Sequence, residues 1–262
     1  MAYLESIHLH PIKALDPVTV EETAILPGGA LAHDREFALF DAAGKFVRGK
    51  NNPDVHLLRT TFNKSFDEVA VQIHGETSGA AFPLRDHCPE FEAWLSEYFG
   101  FPVTIRRNTT NGFPDDTGAW GPTVVSSASI GEVSRWFGNV GADEIRRRFR
   151  PNLVIGGTLP FWEDCLFGEE NSAVHFTIGS VQFEGINPCR RCVVPTRNPV
   201  NGEVLRNFQN EFSKKREAAL PPWAMRSRFS DFYRMSVNTR IQPKEAGKRL
   251  HAGDETSNAG YL

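Results

Sequence analysis

The chain has 262 residues, 40% hydrophobic and 23% charged, and a net charge of -3. That length accommodates one large domain or two small ones with real cores, and the near-neutral balance gives no reason to expect a nucleic-acid partner or a membrane surface. No apolar run reaches the roughly 20 residues of a spanning helix, and the opening Met-Ala-Tyr-Leu-Glu-Ser-Ile-His lacks the basic segment, apolar core and cleavage site of a signal peptide.

In chain order, residues 3–10 alternate and stop at Pro11, which predicts a half-buried strand. Residues 18–26 form a second strand closed by Pro27-Gly28-Gly29. Residues 35–40 and 45–48 flank Asp41-Ala42-Ala43-Gly44, a hairpin turn in which glycine supplies the positive φ. Residues 55–62 and 69–73 continue the pattern, and short strands at this spacing predict a small barrel or sandwich. A helix follows, with Phe91, Trp94, Leu95, Tyr98 and Phe99 on one face and Gly100 as its C-cap. Residues 108–121, rich in Asn, Thr, Gly, Asp and Pro, read equally as a linker or as an active-site loop.

Residues 123–125 form a strand that feeds a helix, with Ser129 and Glu132 as a capping box and Ile130, Val133 and Phe137 as its apolar stripe. Residues 143–148 are a short helix stopped before Pro151, and 153–155, 176–183, 193–194 and 232–237 are strands. The final ten residues read as a loose tail, and no internal repeat is visible. The expected fold is β-rich α+β, with a first module over 1–105 and a second over 106–262.

Chemistry concentrates in Asn187-Pro188-Cys189-Arg190-Arg191-Cys192. A cationic neighbourhood favours the thiolate, the form that binds metals and attacks electrophiles. Three readings stand: half of a zinc site, a redox pair, or a single liganding or nucleophilic cysteine in a loop. Cys88 and Cys165 have no His at ligand spacing, and Pro195 and Pro199 oppose the helix that a redox pair opens. With four cysteines in all, a disulfide scaffold is excluded and a reducing, cytoplasmic setting is expected.

Arg146-Arg147-Arg148-Phe149-Arg150-Pro151-Asn152 is either a solvated helix face or a phosphate grip, for which the guanidinium fork is suited. Asn152 offers directional hydrogen bonds to a planar heterocycle. Asp34-Arg35 ordinarily reads as a structural pair, Lys13 as a solvated lysine, and Glu163-Asp164 as surface carboxylates or a catalytic acid pair. There is no Gly-rich phosphate loop after a strand, no His-Glu-x-x-His and no nucleophile elbow, which disfavours a conventional nucleotide enzyme or triad hydrolase.

Taken together, His-Pro-Ile-Lys (10–13), Asp-Arg-Glu-Phe (34–37), Val-Ser-Ser-Ala-Ser (125–129), Arg-Phe-Arg-Pro-Asn (148–152) and Pro-Cys-Arg-Arg-Cys-Val-Val-Pro-Thr-Arg-Asn-Pro (188–199) closely resemble the MOSC family, named after the C-terminal part of molybdenum cofactor sulfurase. The resemblance covers nearly the whole chain, and the functional cousins it is similar to are the mitochondrial amidoxime-reducing components and their bacterial relatives. It implies an N-terminal β-barrel module packed against a MOSC β-barrel domain with peripheral helices. It also implies that Cys192 ligates molybdenum with Cys189 beside the metal, that Arg150 and Asn152 hold the pterin, and that Lys13 and Arg35 reach the cofactor's phosphate. Ser127 and Ser129 match the family's cofactor-contacting loop. Ala14 stands where the family often has Ser, Arg190 where Ser is usual, and Pro195 where Thr is common, departures that bear on the pocket's polarity.

The resemblance implies an oxidoreductase that uses molybdopterin to reduce N-hydroxylated compounds; apart from the resemblance, Asp164 or a nearby water is read as the proton source. Without a spare cysteine cluster for iron–sulfur ligation, electrons are expected from a separate cytochrome b5- or ferredoxin-like protein. The alternatives are a sulfur carrier or cofactor-delivery module, with a persulfide on Cys192 received from a pyridoxal-phosphate cysteine desulfurase, and a binding protein that stores the cofactor.

Overall fold

The computed structural model describes residues 1–258. Its strands in the first hundred or so residues are β1 (Tyr3–Leu9), β2 (Val18–Val20), β3 (Glu22–Ala24), β4 (Phe37–Asp41), β5 (Leu58–Phe62), β6 (Glu68–Ile73), β7 (Gly79–Pro83) and β8 (Val103–Arg107), with helix α1 (Pro89–Phe99) before the last. Then come β9 (Val124–Ser126), α2 (Ser127–Trp136), α3 (Ala142–Phe149), β10 (Leu153–Gly156), β11 (Val174–Ile178) and β12 (Val181–Arg190). Helix α4 (Phe208–Ala218), β13 (Arg234–Arg240), β14 (Arg249–His251) and β15 (Thr256–Asn258) complete the described chain.

The fold is mixed α+β and strand-rich, as the alternation predicts. One eight-stranded sheet runs β15-β11-β12-β13-β9-β10-β1-β2, so among the described residues its ladder ends at β15 and β2 rather than closing into a barrel. Among the described strands only β9 and β10 pair in parallel, joined by α2 and α3 as the crossover that parallel strands require. The first module is built from the β5-β6-β7 sheet, the β4-β8 ladder and α1. Its core gathers Ile12, Phe37, Leu58, Val71, Phe91 and Ile105, all from residues 12–105.

A single cut at residue 105 nevertheless does not describe the packing. Strands β1 and β2 join the large sheet, with Ile7 opposite both Leu153 and Val20. Leu4, Ile7 and Leu9 are buried in one cluster with Val124, Leu153 and Ile155. The apolar face of β1 is satisfied only by the second module's sheet, so the chain starts in one module's core and then builds the other.

Several local readings are corrected by pairing. Residues 18–26 split at Glu21, because β2 pairs with β1 whereas β3 pairs with β14. Residues 45–48 make only an isolated bridge, Phe40 to Phe46. Residues 176–183 are two strands, β11 and β12, turned back on each other at Gly179, whose φ of 55° suits glycine. Val193 and Val194 lie at a 3₁₀ turn (Val194–Thr196), not in a strand. The N-cap of α2 is Ser126, whose Oγ accepts from the Ala128 N–H at 3.0 Å, so Ser129 sits inside the helix instead of capping it. The tail reading fails for 253–258, where Gly253 N–H donates to Leu4 O at 2.7 Å and β15 pairs with β11. Residues 259–262 of that tail, and of the second module's range, lie outside the described residues.

Candidate active site

The two modules meet around a cavity of about 300 Å³. The first module contributes Lys13, Arg35, Arg48 and Arg59; the second contributes Arg147, Arg150, Cys189, Arg191, Cys192 and Arg197. The loop at residues 108–121 closes one side through Pro114, Asp115, Asp116, Trp120 and Gly121, so of its two readings the site loop is the one that describes its position. Ten cationic side chains and four aspartates line the cavity, a surplus that favours anionic ligands.

Backbone conformation aims these groups. Ala14, Arg35 and Arg150 all have positive φ, at 77°, 51° and 52°. Non-glycine residues in this region carry strain that surrounding structure must hold in place, and such residues concentrate at functional sites. Arg150 ends α3 in the left-handed conformation, consistent with the exclusion of right-handed helix before Pro151, and its Nη2 donates to Leu15 O at 2.7 Å. Burial, with Arg35 nearby, pushes the Arg150 guanidinium down to about 10. The same run divides by direction: Arg147 reaches Asp16 at 3.2 Å, while buried Arg148 bonds Glu144 and Pro195 O. A uniformly solvated helix face is therefore not what this run forms.

Lys13 is buried and donates to Phe113 O at 2.8 Å and Asp115 Oδ1 at 2.5 Å. Burial pushes its ammonium below the usual lysine range, with Asp115 opposing. Enclosure works against the Asp115 charge, but Lys13 and Arg35 outweigh it and hold that carboxyl well below the usual range. Arg35 is clamped by Asp34 and donates to Asn152 Oδ1 at 3.2 Å. Asp34 also accepts the His10 backbone N–H at 2.8 Å; burial raises its carboxyl, but Arg35 and His10 bring it to about 2.

On the cysteine loop, Arg191 Nη1 donates to Cys189 Sγ at 2.9 Å and its other arm bonds Phe149 O. The guanidinium therefore rests on the first thiol. Cys192 is the exposed one and lies in the cavity wall. Arg190 turns away to Asp231 at 3.0 Å, so the departure from Ser at this position does not alter the cavity's polarity. Cys88 and Cys165 are buried in two different cores and supply no second pair of ligands. Among the described residues no group of three or more His, Cys, Asp and Glu is arranged around a metal, and no helix is long and apolar enough to cross a membrane.

Of the residues singled out from sequence, Lys13, Arg35, Arg150, Cys189 and Cys192 come together at the cavity. Asn152 is fully buried behind it, accepting from Arg35 and Thr123 and donating to His8 O at 3.0 Å, so it acts by holding Arg35. Ser127 and Ser129 do not line the cavity. Ser129 Oγ donates to Glu163 at 2.7 Å and accepts the Phe161 N–H at 2.6 Å, which fixes the start of α2. Asp164 is the clearest correction. It is 3% exposed, ion-paired to buried Arg216 and absent from the cavity wall, so it cannot deliver a proton there. Burial raises both Glu163 and Asp164 carboxyls, as expected for a pair enclosed in a core. Sequence reasoning missed Arg48, Arg59, Asp16, Asp115 and His56, which carry no signal beyond their type, and Arg197, which stood inside a quoted motif.

The fold and site define a two-module α+β protein whose modules share a cationic, cysteine-bearing ligand cavity. The family model described as the MOSC N-terminal beta barrel domain matches residues 1–102, the MOSC domain model matches 123–256, and the chain belongs to the MOSC family. It is similar to the molybdenum cofactor sulfurase of Oryza sativa subsp. japonica, 23% identical over 78% of this chain and 29% of that protein. The Solanum lycopersicum protein of that name is 26% identical over 78% of this chain and 30% of its own length. The Danio rerio one is 24% identical over 72% and 27%. The chain thus spans less than a third of the length of these relatives.

Proposed function

We propose that the cavity holds a molybdenum cofactor and that the loaded protein reduces N-hydroxylated compounds of the amidoxime or hydroxylamine type. The observation that carries this reading is the convergence of a cavity-facing thiol, Cys192, with guanidinium groups from both modules on one enclosed volume. The residues fit such a group. The buried Nε of Arg191, whose Nη1 rests on Cys189, has no hydrogen-bond acceptor among the described residues, and buried donors are rarely left so unless something else satisfies them. A phosphate-bearing pterin supplies acceptors of the right charge. Membership of the MOSC family and the name of the relatives support the link to the molybdenum cofactor.

In this reading Lys13 and Arg35 neutralise the phosphate, Arg150 binds the pterin, and Asn152 keeps Arg35 aimed. Cys192, as thiolate, is the metal's protein ligand; Cys189, held by Arg191, stands beside it. The cofactor, when bound, supplies two-electron oxygen-atom transfer. Each N–O bond broken consumes two electrons and two protons and releases water. The electrons come from a separate cytochrome b5- or ferredoxin-like protein.

A second reading, a sulfur carrier that takes a persulfide onto Cys192 from a pyridoxal-phosphate desulfurase, is favoured by the exposure of Cys192 and by the relatives' name. Elemental analysis of protein from a cofactor-competent host separates the two. Near-stoichiometric molybdenum that drops sharply in Cys192→Ser supports the reductase. Cyanide-labile sulfur without molybdenum supports the carrier, and neither metal nor sulfur in the wild type refutes both.

A further inference from the structure

The cavity's cations fall into two groups. Lys13, Arg35 and Arg48 surround Asp115, at 2.5 Å for Lys13 and 3.8 Å for Arg48. This is the group to which the proposed reading gives the phosphate. The other group lies around His56 and is built from both modules. Arg59 on β5 donates to His56 O at 2.5 Å and shares Asp16 with Arg147, each at 3.2 Å. Facing it from the second module is Arg197, which ends the 3₁₀ turn just after the cysteine loop. The buried Nε of Arg197 has no hydrogen-bond acceptor among the described residues. The Nε of Arg59 is buried and unmatched as well.

His56 reports how tightly these charges converge. It is 9% exposed, and burial, followed by Arg150, Arg197 and Arg59, pushes its imidazole down to about 4. A neutral histidine offsets none of this charge, and Asp16, the carboxylate beside it, is shared between Arg59 and Arg147. The segment after Arg197 closes over this corner, with the site for a Gly202 side chain only 3.4 Å from Pro53 O and 3.5 Å from His56 Cβ. Arg197 is five residues beyond Cys192, and Val194 and Pro199 continue the same wall between and past them.

We infer that Arg197 and Arg59 form a second anion subsite, separate from the Lys13–Arg35 group, that recognises a carboxylate or phosphate on the substrate. Two buried, unmatched guanidinium nitrogens regain acceptors when such a group binds, and the planar fork suits both anions. The inference rests on the proposed reductase reading and narrows its substrates to N-hydroxylated compounds bearing an anionic group. Neutral amidoximes leave the subsite unmatched.

The test compares benzamidoxime with its 4-carboxy derivative, using molybdenum-loaded protein, chemically reduced viologen as electron donor, and molybdenum and pterin content measured on the same samples. The wild type should favour the carboxylated substrate in kcat/KM. Arg197→Gln should cut the ratio of the two kcat/KM values about 10- to 100-fold, the range for losing a charge-assisted contact. Arg197→Lys should retain part of it, and Arg59→Gln should act in the same direction. An unchanged ratio in Arg197→Gln overturns the subsite. So does a fall in molybdenum or pterin content, which would give Arg197 to the cofactor instead. If neither substrate is reduced by the wild type, the reductase reading fails on its own. Calorimetric binding of 4-carboxybenzamidoxime, present in the wild type and lost in Arg197→Gln, would still support the anion subsite, and no binding would refute it.

Discussion

Acidification from about pH 7.5 to about pH 5 should remove roughly 4 kcal/mol of stability, the balance between three buried histidines and one buried glutamate. His8, His10 and His56 are 4%, 1% and 9% exposed. Burial pushes all three down, to about 4, 3 and 4, helped by Arg146 at His8 and by Arg150 at His10 and His56. Their unfolded value is 6.5. Below it the unfolded chain binds protons that the native state refuses, so stability is fully present above 6.5 and drains away as pH falls toward the folded values. At about pH 5 each histidine is about 1.5 units below its unfolded value, which at about 1.36 kcal/mol per unit costs about 2 kcal/mol. Three such losses rival the typical total of about 5–15 kcal/mol. Carboxylates such as Asp34, held at about 2, lose stability only below their unfolded 3.8, outside this window, whereas Glu163, which burial and Asp164 push up to about 7, takes up its proton within it and returns about 2 kcal/mol. Urea titrations at the two pH values measure the loss directly. His10→Phe should reduce it by about 2 kcal/mol, because buried His10 refuses the proton that the unfolded chain binds. Taking the difference between pH values within each variant cancels any constant effect of the substitution. A wild-type loss below about 1 kcal/mol, or an equal loss in His10→Phe, would refute the assignment.

Two substitutions test the packing that surrounds the site. Asp164→Asn removes the partner of Arg216, which is 1% exposed, and should cost about 3–5 kcal/mol in thermal or urea unfolding while activity per folded molecule is kept. Wild-type stability with lost activity would return Asp164 to the chemistry. Gly185→Ala in β12 would place a Cβ 1.7 Å from Leu166 O and should lower stability by about 3 kcal/mol or more, since backbone rather than a flexible side chain must move. An unchanged melting temperature would show that the strand yields at no cost.

Which features were legible in sequence follows from how local their cause is. The α1 stripe of Phe91 and Leu95 with Gly100 at its C-cap depends on helical period and one left-handed residue, and it appears as read. By contrast α4 has its own stripe, Phe208, Phe212 and Arg216, in a segment so polar that it gives no contrast until Arg216 is seen buried against Asp164. Ser129 shows the same limit. Its spacing to Glu132 satisfies a capping box, yet Ser126 one strand end earlier takes the cap, and Ser129 turns to Glu163, thirty-four residues on.

The sequence by itself determined the periodicity of most strands and helices, the family resemblance, and the residue types a phosphate-bearing, thiol-binding ligand requires. Only the tertiary structure decided which of those residues share a volume. Lys13 meets Asp115 across 102 positions and Arg35 meets Asn152 across 117, joined by β1 entering the second module's sheet. Asp164 is removed from the site by the same packing, which encloses it against buried Arg216. Periodicity is written within a few residues, whereas a cavity between modules is set by long-range burial, where the hydrophobic faces of distant segments choose their partners.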